Sequence, residues 1–292
     1  MNVYSFYRKF KSGAAHDNEM KIINKWKDSW SKYGWNPIVL GLDDIEKDDF
    51  FWEFYSAINK APTVNLKILE VSAWFPYIAV YQYINKNDNG LFCHTEYDMV
   101  NYGVTPDFFP NEPCYYRHPS IYPCIHSKET WNELVHLLVD KLTNETEKYI
   151  LQLNHLHISQ DTFTSILKDN GLHPIKLDIQ DKIFMGNSIL DHVEQKCLEI
   201  GIDGSEDLEE SLWKISKIDR KKLEKLKNDY LKKFKEWKVW HIHTGSYEFY
   251  LKIFYEELSD VYDLTEIKTF EELRIKIPKA TFLEWVDEQL GR

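Results

Sequence analysis

The sequence predicts an α/β protein, in which a mixed sheet is flanked by helices and followed by a helical C-terminal part. Short runs of strand-forming residues occur at 2–7, 35–42 and 91–93. Between them lie longer segments whose apolar residues recur every three to four positions, as they do in helices. Strands that alternate with helices in this way are typical of a sheet covered by helices.

The first predicted helix, at 18–33, follows the first strand. Its apolar residues have helical spacing: Met20, Ile23, Trp26, Trp30, Tyr33. Asp17 or Asn18 can cap the start of this helix, and Gly34 has the place of a glycine that ends one.

Two further helices separate the second strand from the third. The segment 45–60 is aromatic and helical, and 65–86 is strongly apolar, which predicts a buried helix with a kink at Pro76.

Beyond Gly103 the patterns are weaker, but they still suggest both kinds of element. We expect strands at 114–122, 149–158 and 239–243 and helices at 128–141, after 159–161, at 247–259 and at 280–290.

Composition and charge limit the possible functions. The net charge of −11 disfavours general affinity for nucleic acid or for an anionic membrane. The 10 Trp, 18 Tyr and 16 Phe can fill a core, or they can stack on the rings of a sugar or a base. No stretch approaches the roughly 20 apolar residues of a membrane span, and the first residues lack the apolar run of a signal peptide.

The four cysteines, Cys93, Cys114, Cys124 and Cys197, match no zinc-binding spacing. Free thiols in a reducing cytoplasm are the simplest interpretation, and a Cys114–Cys124 bridge stays open.

One basic segment stands out in this acidic chain. Between Lys214 and Lys238 there are eleven basic residues and four acidic ones, and apolar residues recur at helical steps. We predict a basic amphipathic helix within a helical insertion at 200–238. It is either an ordinary solvated face or a patch for an acidic partner.

The stretch LFCHTEYDMVNYG, residues 91–103, carries the most informative polar residues. Glu96 and Asp98 follow the third strand, and side chains two residues apart in an extended chain face the same way. Ligands of α/β sheets bind beyond the carboxyl ends of the strands. Two carboxylates at that place are candidate ligands of Mn²⁺ or Mg²⁺, although they can also be ordinary turn residues.

A second candidate lies near the C-terminus, in the stretch VWHIHTGS. His241 and His243 alternate on a predicted strand that ends near Gly245, which puts both on one face. Because Mn²⁺ accepts imidazole as well as carboxylate, either histidine can complete the site of Asp98. The sequence contains no G-x-G-x-x-G, Walker A, G-x-S-x-G or H-E-x-x-H motif.

Together these features resemble glycosyltransferases of the GT-A fold, in particular the small capsular-polysaccharide-type enzymes with a DXD motif. The resemblance rests on the order VYSFYR, a helix with two tryptophans, GWNPIVL, a long aromatic helix, EYDMVNYG, and finally VWHIHTGS. It covers residues 1–110 well and 150–250 loosely. The long helix lacks the arginine that relatives carry there, and Glu96 stands where they usually have Asp.

The resemblance implies a role for each candidate residue. Asp98, with His241 or His243, would hold Mn²⁺ (or Mg²⁺) against the diphosphate of a nucleotide-sugar donor. The residues implied to contact the donor are Tyr7, Arg8, Glu96 and Tyr97. Asp161, in a short acidic motif before a helix, would be the catalytic base of an inverting enzyme.

On this basis we expect one catalytic domain over 1–292, located in the cytoplasm, which transfers a sugar to a glycan, a protein or a nucleic acid. Two alternatives stay open. One is a protein that kept the fold as a carbohydrate-binding or scaffold protein without activity, and the other is a metal-dependent phosphoesterase.

Overall fold

The computed structural model describes residues 1–9, 12–60, 67–87, 90–115, 123–145 and 207–292, together with 166, 169–171, 175–176, 184–185, 197 and 199–201. The chain divides into two units, which are described separately. Unit 1 comprises Met1–Arg8, Trp30–Tyr97 and Thr105–Ile179, and unit 2 comprises Lys9–Ser29, Asp98–Val104 and Gln180–Arg292. That the whole chain forms one catalytic domain stays a prediction.

Unit 1 contains a six-stranded mixed sheet in the order β2-β1-β3-β6-β5-β7. Its strands, numbered along the whole chain, are β1 (Asn2–Phe6), β2 (Asn36–Leu40), β3 (Phe92–His94), β5 (Cys114–Tyr115), β6 (Cys124–His126) and β7 (Ile175–Lys176). Strand β1 pairs in parallel with both β2 and β3, whereas β6 is antiparallel to β3. The predicted α/β class is confirmed, and the first three predicted strands are present.

The helices of unit 1 are α2 (Asp49–Lys60), α3 (Lys67–Asn87) and α4 (Lys128–Asn144). Helix α1 (Ala14–Lys32) belongs to unit 2 over most of its length. Helix α3 keeps Pro76 inside it, as expected. Helix α1 ends as predicted: Gly34 has a φ of 83°, and the amides of Gly34 and Trp35 donate to the carbonyls of Ser31 and Trp30.

The predicted start of α1 at Asp17 or Asn18 is wrong. The helix begins at Ala14, since alanine has the highest helix propensity and Ala14 and Ala15 extend the helix backwards. Asp17 therefore lies in the first turn, where its charge favours the positive end of the helix.

The core of unit 1 is aromatic. Trp131 of α4 stacks on Tyr77 of α3 at 5.7 Å between ring centroids and meets Phe92 of β3 edge to face. The indole of Trp131 also donates to the Tyr77 carbonyl at 3.2 Å, so its one polar atom is satisfied in the core. These contacts fix two helices against the central strands.

Unit 2 contains a three-stranded sheet in the order β4-β9-β8 and most of the helices. Its strands are β4 (Met99–Asn101), β8 (Phe184–Met185) and β9 (Val239–His241). Its further helices are α5 (Leu208–Lys217), α6 (Arg220–Glu236), α7 (Thr244–Ile253), α8 (Tyr255–Val261), α9 (Phe270–Lys276) and α10 (Lys279–Leu290). The prediction of a helical C-terminal part is thus confirmed.

The basic segment forms two helices rather than one. Helix α5 ends at Lys217, and the side chain of Asp219 accepts from the Lys221 amide to cap α6. An aspartate at this place favours a new helix start because it satisfies an otherwise unpaired amide. On the buried face of α6, Phe234 stacks on Trp240 of β9 at 4.3 Å.

All four cysteines are free and buried, so the bridge left open between Cys114 and Cys124 is not formed. Burial raises the pKa of the Cys114 thiol to about 12. Among the described residues, no helix has the length and apolar character needed to cross a membrane.

His94 of β3 gives a testable pH dependence. Burial lowers its pKa from 6.5 to about 4, and its ring lies 5.3 Å from that of Trp131. The unfolded chain binds this proton at a higher pH than the folded chain, so protonation of His94 favours unfolding. We expect the free energy of unfolding to be unaffected by His94 above about pH 6.5 and to fall by about 3 kcal/mol towards pH 4. Urea unfolding between about pH 4 and about pH 6.5 would give the free energy of unfolding at each pH. We expect this free energy to depend less steeply on pH in His94→Gln than in the wild-type protein, and an equal pH dependence would contradict the assignment to His94.

Candidate functional site

The first group of candidate residues lies in unit 1, just beyond the carboxyl ends of two neighbouring parallel strands. Tyr7 follows β1, and Tyr97 comes shortly after β3; their rings meet edge to face at 5.6 Å between centroids. The amide of Tyr7 donates to the Leu40 carbonyl at 2.8 Å, and that of Thr95 to the Tyr4 carbonyl at 3.0 Å. Both segments are therefore held at the same edge of the sheet, where α/β proteins bind ligands.

Arg8 and Glu96 complete this strand-end group, which consists of Tyr7, Arg8, Glu96 and Tyr97. The Arg8 guanidinium lies 5.6 Å from the centroid of the Phe75 ring. A contact of this kind orients the guanidinium group over the ring. All four side chains are partly exposed and so accessible to a ligand.

The second group lies in unit 2 and is built on the pairing of β4 with β9. Asp98 immediately precedes β4, which pairs antiparallel with β9 so that Met99 lies opposite His241. The Ile242 amide donates to the Asp98 carbonyl at 3.1 Å and extends the ladder by one residue. Residues far apart in the sequence are thus adjacent in space.

This register places the Asp98 carboxylate against the His241 imidazole. Asp98 Oδ1 lies 3.3 Å from His241 Nε2, and the exposed fractions of the two side chains are 14% and 1%. The predicted proximity of Asp98 and His241 is therefore present, although their role as metal ligands stays a prediction.

Lys279 is a third member that the sequence analysis missed. Its ammonium Nζ lies 2.9 Å from Asp98 Oδ2, so each oxygen of the carboxylate has its own partner. Lys279 is the first residue of α10, directly after Pro278. A lysine in the first turn is close to the positive end of the helix dipole, which is unfavourable unless a carboxylate is near. The position of Lys279 directly after Pro278 could therefore have predicted an acidic partner.

The charge of Asp98 follows from these contacts. Burial alone would raise the pKa of this carboxyl group, but first Lys279 and then His241 hold it well below its ordinary value. Asp98 is consequently a carboxylate at neutral pH.

A carboxylate oxygen and an imidazole nitrogen this close can share one ion, and both types of atom suit Mn²⁺. The residues present therefore fit a divalent cation held by Asp98 Oδ1 and His241 Nε2. Lys279 contacts the other oxygen, Asp98 Oδ2, and its positive charge would oppose a second cation nearby.

The prediction that His243 continues the strand is wrong. Strand β9 ends at His241, and His243 is the N-cap of α7, where its Nδ1 accepts from the Gly245 amide at 3.3 Å. The Nδ1 atom of His243 thus satisfies an amide at the start of the helix that has no partner within the helix. The ring centroids of His241 and His243 are 5.6 Å apart.

Asp161, the predicted catalytic base, lies outside the described residues, as does the predicted strand at 149–158. The strand-end group is connected in sequence to the second group, which consists of Asp98, His241 and Lys279, because Tyr97 and Asp98 are consecutive residues.

Comparison with protein-family models finds no match, and neither the curated proteins nor the solved structures include one that matches this chain.

Proposed function

We propose that the protein is a metal-dependent glycosyltransferase of the GT-A type that uses a nucleotide-sugar donor. The observation that carries the proposal is the contact between Asp98 and His241. It brings together the segments EYDMVNYG and VWHIHTGS, for which the resemblance to GT-A glycosyltransferases implies a shared cation site. The mixed sheet with Tyr7, Arg8 and Tyr97 at one strand edge supports it.

The described residues have separate tasks in this proposal. Asp98 and His241 would hold the cation, which would supply Lewis-acid stabilisation of the diphosphate leaving group. Glu96, two residues before Asp98 in the chain, contacts the ribose or a water on the cation. Tyr7 and Tyr97 contact the nucleotide, and Arg8 stabilises negative charge on the phosphates.

The remaining parts of the proposal rest on the sequence. Asp161 would take the proton from the acceptor hydroxyl if the reaction inverts the sugar. The acceptor is a glycan, a protein or a nucleic acid. We place the protein in the cytoplasm, in keeping with its four free, buried thiols.

Release of nucleoside diphosphate from UDP- and GDP-sugars, with Mn²⁺, with Mg²⁺ and with EDTA, tests this function. We expect hydrolysis of at least one donor that EDTA abolishes. No hydrolysis and no thermal shift with any donor would contradict the proposal. Metal-dependent release of phosphate from a simple ester such as p-nitrophenyl phosphate would favour a phosphoesterase instead.

A second candidate function is a carbohydrate-binding protein without activity. The ion pair of Lys279 with Asp98 favours it, because the carboxylate is neutralised without a metal. Sugar binding that persists in EDTA and in Asp98→Asn would support this alternative.

A further inference from the structure

The two exposed tryptophans differ from the rest of the protein's indoles. Eight of the ten are buried, and only Trp52 and Trp213 have exposed fractions above half, at 52% and 59%. The aromatic surplus of the sequence is therefore used mainly in the core. A large apolar ring left in water is a candidate contact for a ligand.

Trp213 on α5 lines a groove in unit 2 of about 460 Å³. The groove volume falls within the range of about 300–1,000 Å³ that is usual for small-molecule sites. Its polar lining comes from α5, from the start of α6 and from one acidic residue earlier in the chain: Lys214, Lys217, Lys222, Asp219 and Glu199.

The lining has a local excess of positive charge in an acidic protein. Three lysines face two carboxylates in the groove, while the net charge of the whole chain is −11. The Lys217 ammonium lies 5.8 Å from the centroid of the Trp213 ring, so a ring and a cation are presented together. Lys214 is paired with Glu210 at 3.4 Å across one turn of α5.

We propose that this groove binds an acidic sugar, either a uronic acid residue or a sugar phosphate within a glycan. The face of the Trp213 indole packs against the apolar face of the sugar ring. Lys217 and Lys222 contact the anionic group. Glu199 and Asp219 accept hydrogen bonds from sugar hydroxyls, since ionised carboxylates are acceptors only.

The aromatic lining of the groove argues against a nucleic acid as the occupant. Among the described residues, only one aromatic ring lines the groove, whereas single-strand binding surfaces stack successive bases on several rings.

This proposal does not depend on the glycosyltransferase function. The binding experiment contains no nucleotide sugar and no metal, so its failure would leave the proposed activity untouched.

The test is calorimetric titration of the full chain with hexagalacturonate and with its fully methyl-esterified, neutral form. We expect the acid form to bind and the ester to bind at least about tenfold more weakly, since the loss of charge-assisted contacts costs about 1.4 kcal/mol or more. Equal affinity for both forms, or no binding of the acid form, would overturn the proposal.

Variants assign the binding to this groove. Trp213→Ala should weaken binding of hexagalacturonate by about tenfold, a ring contact of about 1.4 kcal/mol. Lys214→Glu, Lys217→Glu and Lys222→Glu combined should abolish it. Matched controls are Trp52→Ala and the combination Lys225→Glu, Lys232→Glu and Lys235→Glu, which makes the same charge change at exposed positions of α6 outside the groove.

Circular dichroism should show that every variant is folded, as expected for substitutions of exposed or half-exposed side chains. Equal losses in the groove and control lysine variants would mean a general charge effect and would overturn the proposal. If a single-stranded oligonucleotide binds more tightly than hexagalacturonate, and the groove variants lose this binding, the ligand of the groove is a nucleic acid and the proposal is overturned.

Discussion

Asp98→Asn is expected to lower metal-dependent hydrolysis of the nucleotide sugar by about 100-fold or more, since it removes the charged ligand of the cation. Asparagine keeps the shape of aspartate but neither its charge nor its affinity for a hard cation. Initial rates of nucleoside diphosphate release at saturating Mn²⁺ would measure the effect.

A loss of stability accompanies this substitution and must be separated from the loss of activity. Asp98 is largely buried and paired with Lys279 and His241, and breaking such a pair leaves a charge without its partner. We expect a cost of about 3 kcal/mol in the free energy of unfolding, towards the lower end of values for buried pairs because Lys279 can rehydrate. Urea unfolding would show whether the variant is folded under assay conditions.

The pair of Lys25 and Asp287 provides a matched control. Its separation is 3.0 Å with exposed side-chain fractions of 21% and 18%, against 2.9 Å, 21% and 14% for Lys279 and Asp98. Asp287→Asn should therefore cost comparable stability but retain the activity. Equal activity of Asp98→Asn and Asp287→Asn would contradict the assignment of Asp98.

Lys279→Met is expected to have the opposite effect on the metal and to tighten Mn²⁺ binding by about tenfold, a gain of about 1.4 kcal/mol. In the native chain the ammonium group on Asp98 Oδ2 repels a cation bound at Oδ1, and in the variant this repulsion is absent. Methionine keeps the length of the lysine stem and so limits the loss of packing.

Calorimetric titration with Mn²⁺ would measure this change, with Lys25→Met as the control. An unchanged dissociation constant for Lys279→Met would show that lysine and metal do not compete for Asp98. Weaker Mn²⁺ binding in the variant would show that Lys279 supports the site instead.

Local patterns in the sequence predicted several of the elements around the candidate site. A run of strand-forming residues predicted β1, and Gly34 predicted the end of α1, because each signal depends on neighbouring residues alone. The α/β class followed from the order of these elements. Whether the fold is of the GT-A type stays a prediction.

Contacts between distant segments were harder to predict. The proximity of Asp98 and His241 was suggested by the ligand preferences of Mn²⁺ and by the resemblance, since sequence spacing says nothing about how β4 pairs with β9. Lys279 lies 181 residues from Asp98, and its flexible side chain follows no periodic pattern. The placement of His243 failed because a histidine can cap a helix as well as continue a strand.

The most direct test of the central claim is an electron paramagnetic resonance titration of Mn²⁺ into the wild-type protein, Asp98→Asn and Asp287→Asn, with and without UDP or GDP. We expect the wild-type protein and Asp287→Asn to bind Mn²⁺, more tightly with one of the nucleotides, and Asp98→Asn not to bind it. Equal Mn²⁺ binding by Asp98→Asn and the wild-type protein would contradict a cation site at Asp98 and His241.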